Sequence, residues 1–436
     1  MNGLTLALLT LAGVPAEQRQ RVAEGFLTVA GRYAMSAFGP IGISAAHFIA
    51  ALIFLHSFSR TEFGLFSFLL VVVPFCLSVS GAMFAPPIAR EAARPNGITS
   101  AHRLTLFKTS IVFSVLAGVA VGALTAFGGT GAAVAATFGL YGGLMSLRWF
   151  ARCWTYAERR VARVLASDLA YSGLLVLALT VLALSHRMSV WNAALALLGS
   201  AAVGMMAFDG EHLLGYTQAI RAGRLRSYFA FWRDLSRWAL LGVVMSEATV
   251  NAHAYLVTFI SGPRAFAVLA VGSLLMRPVS LVLSALPDVE RPLMSRALRA
   301  GERQQAFRIV KEFRTAAGAI WLATLVLAVA LLTCFPQLLL KKTYPLGEVV
   351  AVVAISAAIM ALRSLRTPDS VLLQAAGEFR KLTGPGLWSS LVAMAATFVL
   401  LLLFGPVAAL GGILIGELVA TERTFALTRA WKASRD

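Results

Sequence analysis

Apolar runs of about 20 residues, broken by short polar and basic intervals, recur along the whole 436-residue chain. A helix of that length crosses a ~30 Å hydrocarbon core, so each run predicts a membrane span. Twelve spans are predicted, at 33–55, 63–85, 108–128, 132–147, 165–185, 190–208, 238–260, 265–286, 316–338, 346–366, 383–404 and 407–427. The fold class is all-α: a polytopic membrane protein of about 12 transmembrane helices. An even number of spans puts both termini on one side. The longest interval between spans, 209–237, divides them six and six. The expected organisation is an N-terminal segment (1–25), a first half (26–208), a linker (209–237), a second half (238–427) and a tail (428–436). The early stretch "GLTLALLTLAGV" is too short to span and follows no Lys or Arg, unlike a secretory signal.

Composition agrees. The chain is 58% hydrophobic and 13% charged, too apolar for the surface of a soluble protein of this length. The net charge of +18 would suggest nucleic acid on a soluble protein. Here 32 Lys and Arg fall in alternate intervals or at the span ends that face them and five on the other side, with Arg277 left within a span. That is the positive-inside pattern; it excludes a nucleic-acid partner and places both termini in the cytoplasm. The outer intervals are short, and none could house a catalytic domain, so no enzyme is expected. The three cysteines have no metal-ligand spacing.

The halves carry traces of a repeat. "FAPPIAREAARPNG" after the second span matches "VERPLMSRALRAGE" after the eighth, and the turns "SRTEFGLFSF" and "GPRAFAVLAV" set Gly64 opposite Ala267. Because orientation recurs, the halves would be parallel repeats related by an axis along the membrane normal. Gly39-Pro40, Pro74 and Arg277-Pro278 mark expected interruptions. The last span, with Gly405, Gly411, Gly412 and Gly416, predicts close helix contact.

Charges inside the spans are the candidate chemistry. In "GVVMSEATVNAHAYLVTF", Glu247 and Asn251 share one helix face and His253 lies on a neighbouring one. Glu247 precedes the Gly262 turn by 15 residues and Arg277 follows it by 15, so a straight hairpin sets both at one depth, about 22 Å from the turn. They would form an ion pair or face one cavity. Each costs ~2.5–3.5 kcal/mol at mid-membrane, and even a good buried pair is often no better than apolar packing, so function is the better reason to keep them. Arginine suits a phosphate, whose oxygens its fork binds two at a time. The candidate substrate-binding residues are Arg277, Arg32 and Asn251; the candidate coupling residues are Glu247, His253 and His47. Asp168, opening the fifth span, reads as interfacial, and Glu417 lies within the twelfth.

The turn "SRTEFGLFSF", the segment "RPLMSRALRAGERQQAFR" and the C-terminal "GPVAALGGILIGELVATERTFALTRA" resemble those of bacterial polysaccharide flippases. These are the O-antigen and exopolysaccharide exporters of the multidrug/oligosaccharidyl-lipid/polysaccharide superfamily. The resemblance implies two six-helix bundles around a central, cationic cavity, with Arg277 and Arg32 as its candidate cations. It implies a polyprenyl-diphosphate-linked oligosaccharide moved across the bacterial inner membrane, with membrane lipids and polysaccharide-assembly machinery as partners. No cofactor is expected; proton or sodium coupling falls within the superfamily's range. The rival readings are a cation-coupled multidrug or metabolite exporter of the same superfamily, a membrane glycan polymerase or ligase, and a lipid-binding scaffold without transport.

Overall fold

The computed structural model describes residues 39–95, 97–208, 210–339 and 344–434. Arg32 and the segment 1–25 lie outside the described residues, as does the start of the first span. Each predicted span falls on a helix: α1 (Gly39–Ser57), α2 (Arg60–Ala92), α3 (Ser100–Phe127), α4 (Ala132–Ala157), α5 (Val161–Leu184), α6 (Val190–Met206), α8 (Arg237–Ser261), α9 (Pro263–Leu275) with α10 (Arg277–Arg299), α11 (Arg303–Cys334), α12 (Leu346–Ala375), α13 (Phe379–Phe404) and α14 (Ala409–Ala433). The linker forms α7 (Gly210–Ala222), then one 3₁₀ and one π turn leading into α8. Among the described residues eight helices are long and apolar enough to cross a membrane, and the bent pair α9–α10 makes a ninth. Large apolar side chains such as Val115, Leu116, Val119, Leu177 and Leu403 are exposed on helix faces, as a lipid-facing surface requires.

The interruptions resolve differently. Arg277-Pro278 opens a new helix after a bend of 61°. Pro74 stands within an unbroken α2, and Gly39-Pro40 opens the described part of α1. Local chemistry sets the start of α2: Ser59 caps the Glu62 amide while the Glu62 carboxylate accepts from the Ser59 amide at 2.9 Å. Near its other end, Pro87 lacks the N–H that would reach the Met83 carbonyl. Tyr228 and Ser236 hydroxyls from the linker donate to that carbonyl instead, at 2.7 and 2.8 Å. A proline in α2 thereby fastens the linker to the first half.

Helices α2–α6 pack among themselves, as do α8–α14; α2 joins the two sets by packing on α8 and α9. Small residues govern the tightest contacts. Gly118 and Gly122 of α3 face Gly139 and Gly143 of α4, so close that a Cβ on Gly118 would lie 2.7 Å from the Gly139 carbonyl oxygen. In α14, Gly412 lies against the Thr397 backbone of α13, where a Cβ would collide with it. Gly412→Ala is therefore expected to cost about 1–3 kcal/mol, seen as a lower melting temperature in detergent. Gly173→Ala, which meets nothing within 4 Å, is expected to leave it unchanged or higher.

Candidate functional site

The turns at Gly128, Gly262 and Gly405 lie at one end of the bundle, and those at Gly301 and Gly377 at the other. At the Gly262 end the two sets of helices touch. Gly64 of α2 meets the carbonyl of Pro263, and a Cβ built on it would stand 3.2 Å from that of Ala267. The two turns aligned as repeats in the sequence thus pack on each other. Phe68 of α2 meets the rings of Tyr255, Phe259 and Phe266 edge-on, which closes the seam.

Below that seam a cavity of about 220 Å³ lies between the sets. Asn251, His253, Arg277 and Arg363 line it from one side, with Ala51, Ser67 and Phe63 on the other. No Asp or Glu is among its lining residues. A second, larger cavity of about 880 Å³ adjoins it and shares Val250, Ser280, Met360 and Arg363 with it. This vestibule lies among the C-terminal helices and extends to Trp238, Gln374 and Leu382, at the Gly301 end. Its size is within the usual range of ligand pockets, about 300–1,000 Å³.

Three of the sequence-derived candidates, Arg277, Asn251 and His253, therefore share one cavity. Glu247 is not among the lining residues of that cavity, although its carboxylate is hydrogen-bonded to the Asn251 side chain that lines it. Its carboxylate accepts from the Tyr255 hydroxyl at 2.7 Å, and Tyr255 is packed against Phe68 and Phe75 of α2. No ion pair links Glu247 to Arg277 among the described residues. Equal distance from a turn sets depth, not the direction in which a side chain leaves its helix. The Met276 break also turns Arg277 away from the straight course assumed for that hairpin. His47 is buried in the first half, its Nε2 2.6 Å from the Tyr171 hydroxyl, and lines neither cavity.

The charges that the sequence left aside form two clusters of one design. In the first half, Arg148 and Arg152 of α4 hold Asp168 of α5 at 2.6 and 2.8 Å. Arg148 also donates to Ser167 at 3.0 Å and lies over the Tyr171 ring. Asp168 is fully buried, and both arginines lie within α4 rather than in the interval after it. In the second half, Arg363 and Arg366 of α12 hold Glu417 of α14 at 2.7 and 3.0 Å. The arginines of the first cluster are 1% and 5% exposed; those of the second are 16% and 25%. The first is sealed and the second faces the cavities. A signal for the second was present in the sequence: two arginines three residues apart, turned to one helix face, and a lone carboxylate inside another span.

Chemically, the chamber is cationic. Glu417 offsets one of two guanidiniums, and Arg277 has no ion-pair partner among the described residues. An arginine held in a low-dielectric cavity without a resident carboxylate favours the arrival of an anion. The amide of Asn251, which also bonds Glu247, the His253 ring and the serines at 273, 280 and 356 supply further hydrogen-bonding groups.

No family profile matches the chain, and no curated protein matches it. Solved structures do. The inward-facing conformation of a multidrug resistance MATE family transporter of the MOP superfamily aligns with a TM-score of 0.69, covering 90% of this chain and 95% of its own at 16% identity. An outward-facing conformation of such a transporter gives 0.56, covering 92% and 96% at 14% identity. A MOP superfamily transporter from Pyrococcus furiosus, described as having a binding pocket of reverse polarity, gives 0.58 over 92% and 94% at 14% identity. The chain has the all-helical, membrane-spanning fold of the MATE family transporters of the MOP superfamily.

Proposed function

We propose that this protein is a flippase that carries a polyprenyl-diphosphate-linked oligosaccharide across the bacterial inner membrane by alternating access, for surface polysaccharide synthesis. One observation carries the reading: the cavity between the two sets of helices is walled by Arg277 and Arg363 and by no acidic residue. Paired guanidiniums suit the oxygens of a diphosphate and repel a cationic drug. The halves 26–208 and 238–427 would be the moving bodies. With the termini in the cytoplasm, the seam at Gly262 closes the outer side and the vestibule opens inward. The superposition agrees in direction, being closer to the inward-facing neighbour than to the outward-facing one.

The test is reconstitution in liposomes with a fluorescent, polyprenyl-diphosphate-linked disaccharide. Each charge-assisted contact is worth about 1.5–3 kcal/mol, so Arg277→Ala and Arg363→Ala are each expected to reduce transport about ten- to hundredfold. Full transport by both variants at equal protein level would overturn the reading. Export of a cationic dye, with none of the diphosphate lipid, would favour the multidrug exporter instead. One feature supports that second reading: Glu247, an intramembrane carboxylate bonded to Tyr255 rather than to a guanidinium, is available for coupling to a cation gradient.

A further inference from the structure

The two arginine–carboxylate clusters supply an internal comparison. Both place one carboxylate between two guanidiniums on neighbouring turns of a helix. Where the purpose is structural, as around Asp168, the cluster is sealed among Tyr171, Ser167 and Gly204. The Glu417 cluster has the same charges, yet its two arginines and the carboxylate all line the 880 Å³ vestibule. Arg363 reaches further and lines the inner cavity too. The Arg366 Nε is buried with no hydrogen-bond partner, a feature shared with Arg148 Nη1 and Arg152 Nε, so what separates the two clusters is access to the chamber. A purely structural cluster would gain nothing by facing a chamber of that size, since solvent screening weakens the pair.

We infer that Arg363 and Arg366 form a second anion station, in the vestibule, for a phosphate or diphosphate ester, with Glu417 as a resident counter-anion that the incoming ligand displaces. This rests on the anionic-substrate reading above and deepens it. Three guanidiniums then stand in succession from the vestibule to the inner cavity, Arg366, Arg363 and Arg277, with Arg363 common to both chambers. In the empty protein Glu417 holds the first two in place, which limits the cost of keeping them poorly hydrated. When a phosphate takes over its bonds the carboxylate is freed, and when the ligand leaves it returns. Binding at the station is thereby kept weak enough to release, as conduction through successive sites requires.

The experiment is calorimetric titration of the full-length protein in nanodiscs of zwitterionic lipid with inorganic pyrophosphate. Glu417→Gln removes the competitor and is expected to tighten binding about tenfold. Arg366→Ala, which leaves the Arg363–Glu417 bond intact, is expected to weaken it about tenfold. The double variant Glu417→Gln/Arg366→Ala is expected to lose the gain, and Arg277→Ala/Glu417→Gln to keep it. No tightening in folded Glu417→Gln, together with unchanged affinity in Arg366→Ala, overturns the station. Should Glu417→Gln not fold, Arg366→Ala alone decides. Two further arms identify the source of the ligand. Competition by a short-chain polyprenyl diphosphate marks the carried lipid, whereas weaker pyrophosphate binding in nanodiscs containing phosphatidylglycerol marks bulk anionic headgroups. Failure of the flippase reading looks different: pyrophosphate still binds with this mutational pattern, but no diphosphate lipid is transported.

Discussion

Asp168→Ala is expected to destabilise the protein by roughly 3–5 kcal/mol, the usual cost of breaking a buried ion pair from one side. Asp168 is fully buried and is the shared partner of Arg148 and Arg152, both almost sealed. Its removal leaves two guanidiniums with no carboxylate, and Arg148 Nη1 and Arg152 Nε already lack partners. The cluster also seats α1, because Gly39 packs directly on the Asp168 side chain. A thermal melt in detergent checks the prediction, with Glu417→Ala as comparison. Glu417 holds arginines that reach the vestibule, where water can hydrate them once the carboxylate is gone, so its loss is expected to cost clearly less. If charge is the cause, replacing all three residues of the first cluster with apolar ones of similar volume (Asp168→Leu, Arg148→Met, Arg152→Met) should recover most of the stability. Equal melting of Asp168→Ala and the unmodified protein would show that the cluster bears no structural load.

The helices themselves were legible because span length and apolar composition are local properties. What composition could not set was where helices stop. α11 begins at Arg303, well before the span predicted from 316, and α12 runs to Ala375, nine residues past Arg366. A helix can continue beyond the apolar run that betrays it. That extension explains Arg148 and Arg152, which lie past the span predicted to end at 147 but within α4; Arg363 and Arg366 lie in the last turn of the span predicted to end at 366. Arg148, Arg152, Arg363 and Arg366 lie where apolar runs end and basic residues gather, and a charge ledger treats them as topology signals. Whether such an arginine reaches an aqueous surface or turns inward depends on a carboxylate in another span, which only the packing brings within reach. The Glu247–Arg277 inference met the converse limit. Spacing from Gly262 supplied depth, but Tyr255, two turns along from Glu247, captures the carboxylate at the α2–α8 seam. Arg277, Asn251 and His253 were separable because an arginine and an amide among apolar neighbours have few other uses in a span.

Gly64→Leu is expected to hold the two sets of helices apart at the Gly262 end. A Cβ there collides with the Pro263 carbonyl oxygen and presses on Ala267, and backbone cannot give way as a flexible side chain would. The contact exists only while the sets touch, so a substitution that penalises it by about 1–3 kcal/mol shifts a two-state equilibrium 5- to 150-fold toward separation. The same seam is strapped from outside. Arg60 donates from Nε to the Arg264 carbonyl at 3.2 Å, lies 3.8 Å from Glu348 and rests 5.7 Å from the centre of the Tyr344 ring. Burial raises the Tyr344 phenol to about 12, against the pull of Arg60, so the ring stays neutral under the guanidinium at physiological pH. Arg60→Ala removes that strap without adding bulk, and it is expected to move the equilibrium the same way by less, since its ion pair is partly exposed. Electron–electron distance measurement between spin labels at Thr61 and Ser261 checks both, after Cys334, the exposed native thiol, is replaced by Ser. The expected order of long-distance population is Gly64→Leu above Arg60→Ala above the unmodified protein. If the Gly64→Leu distribution coincides with that of the unmodified protein, the seam is not a closing surface and the two sets of helices do not rock about it.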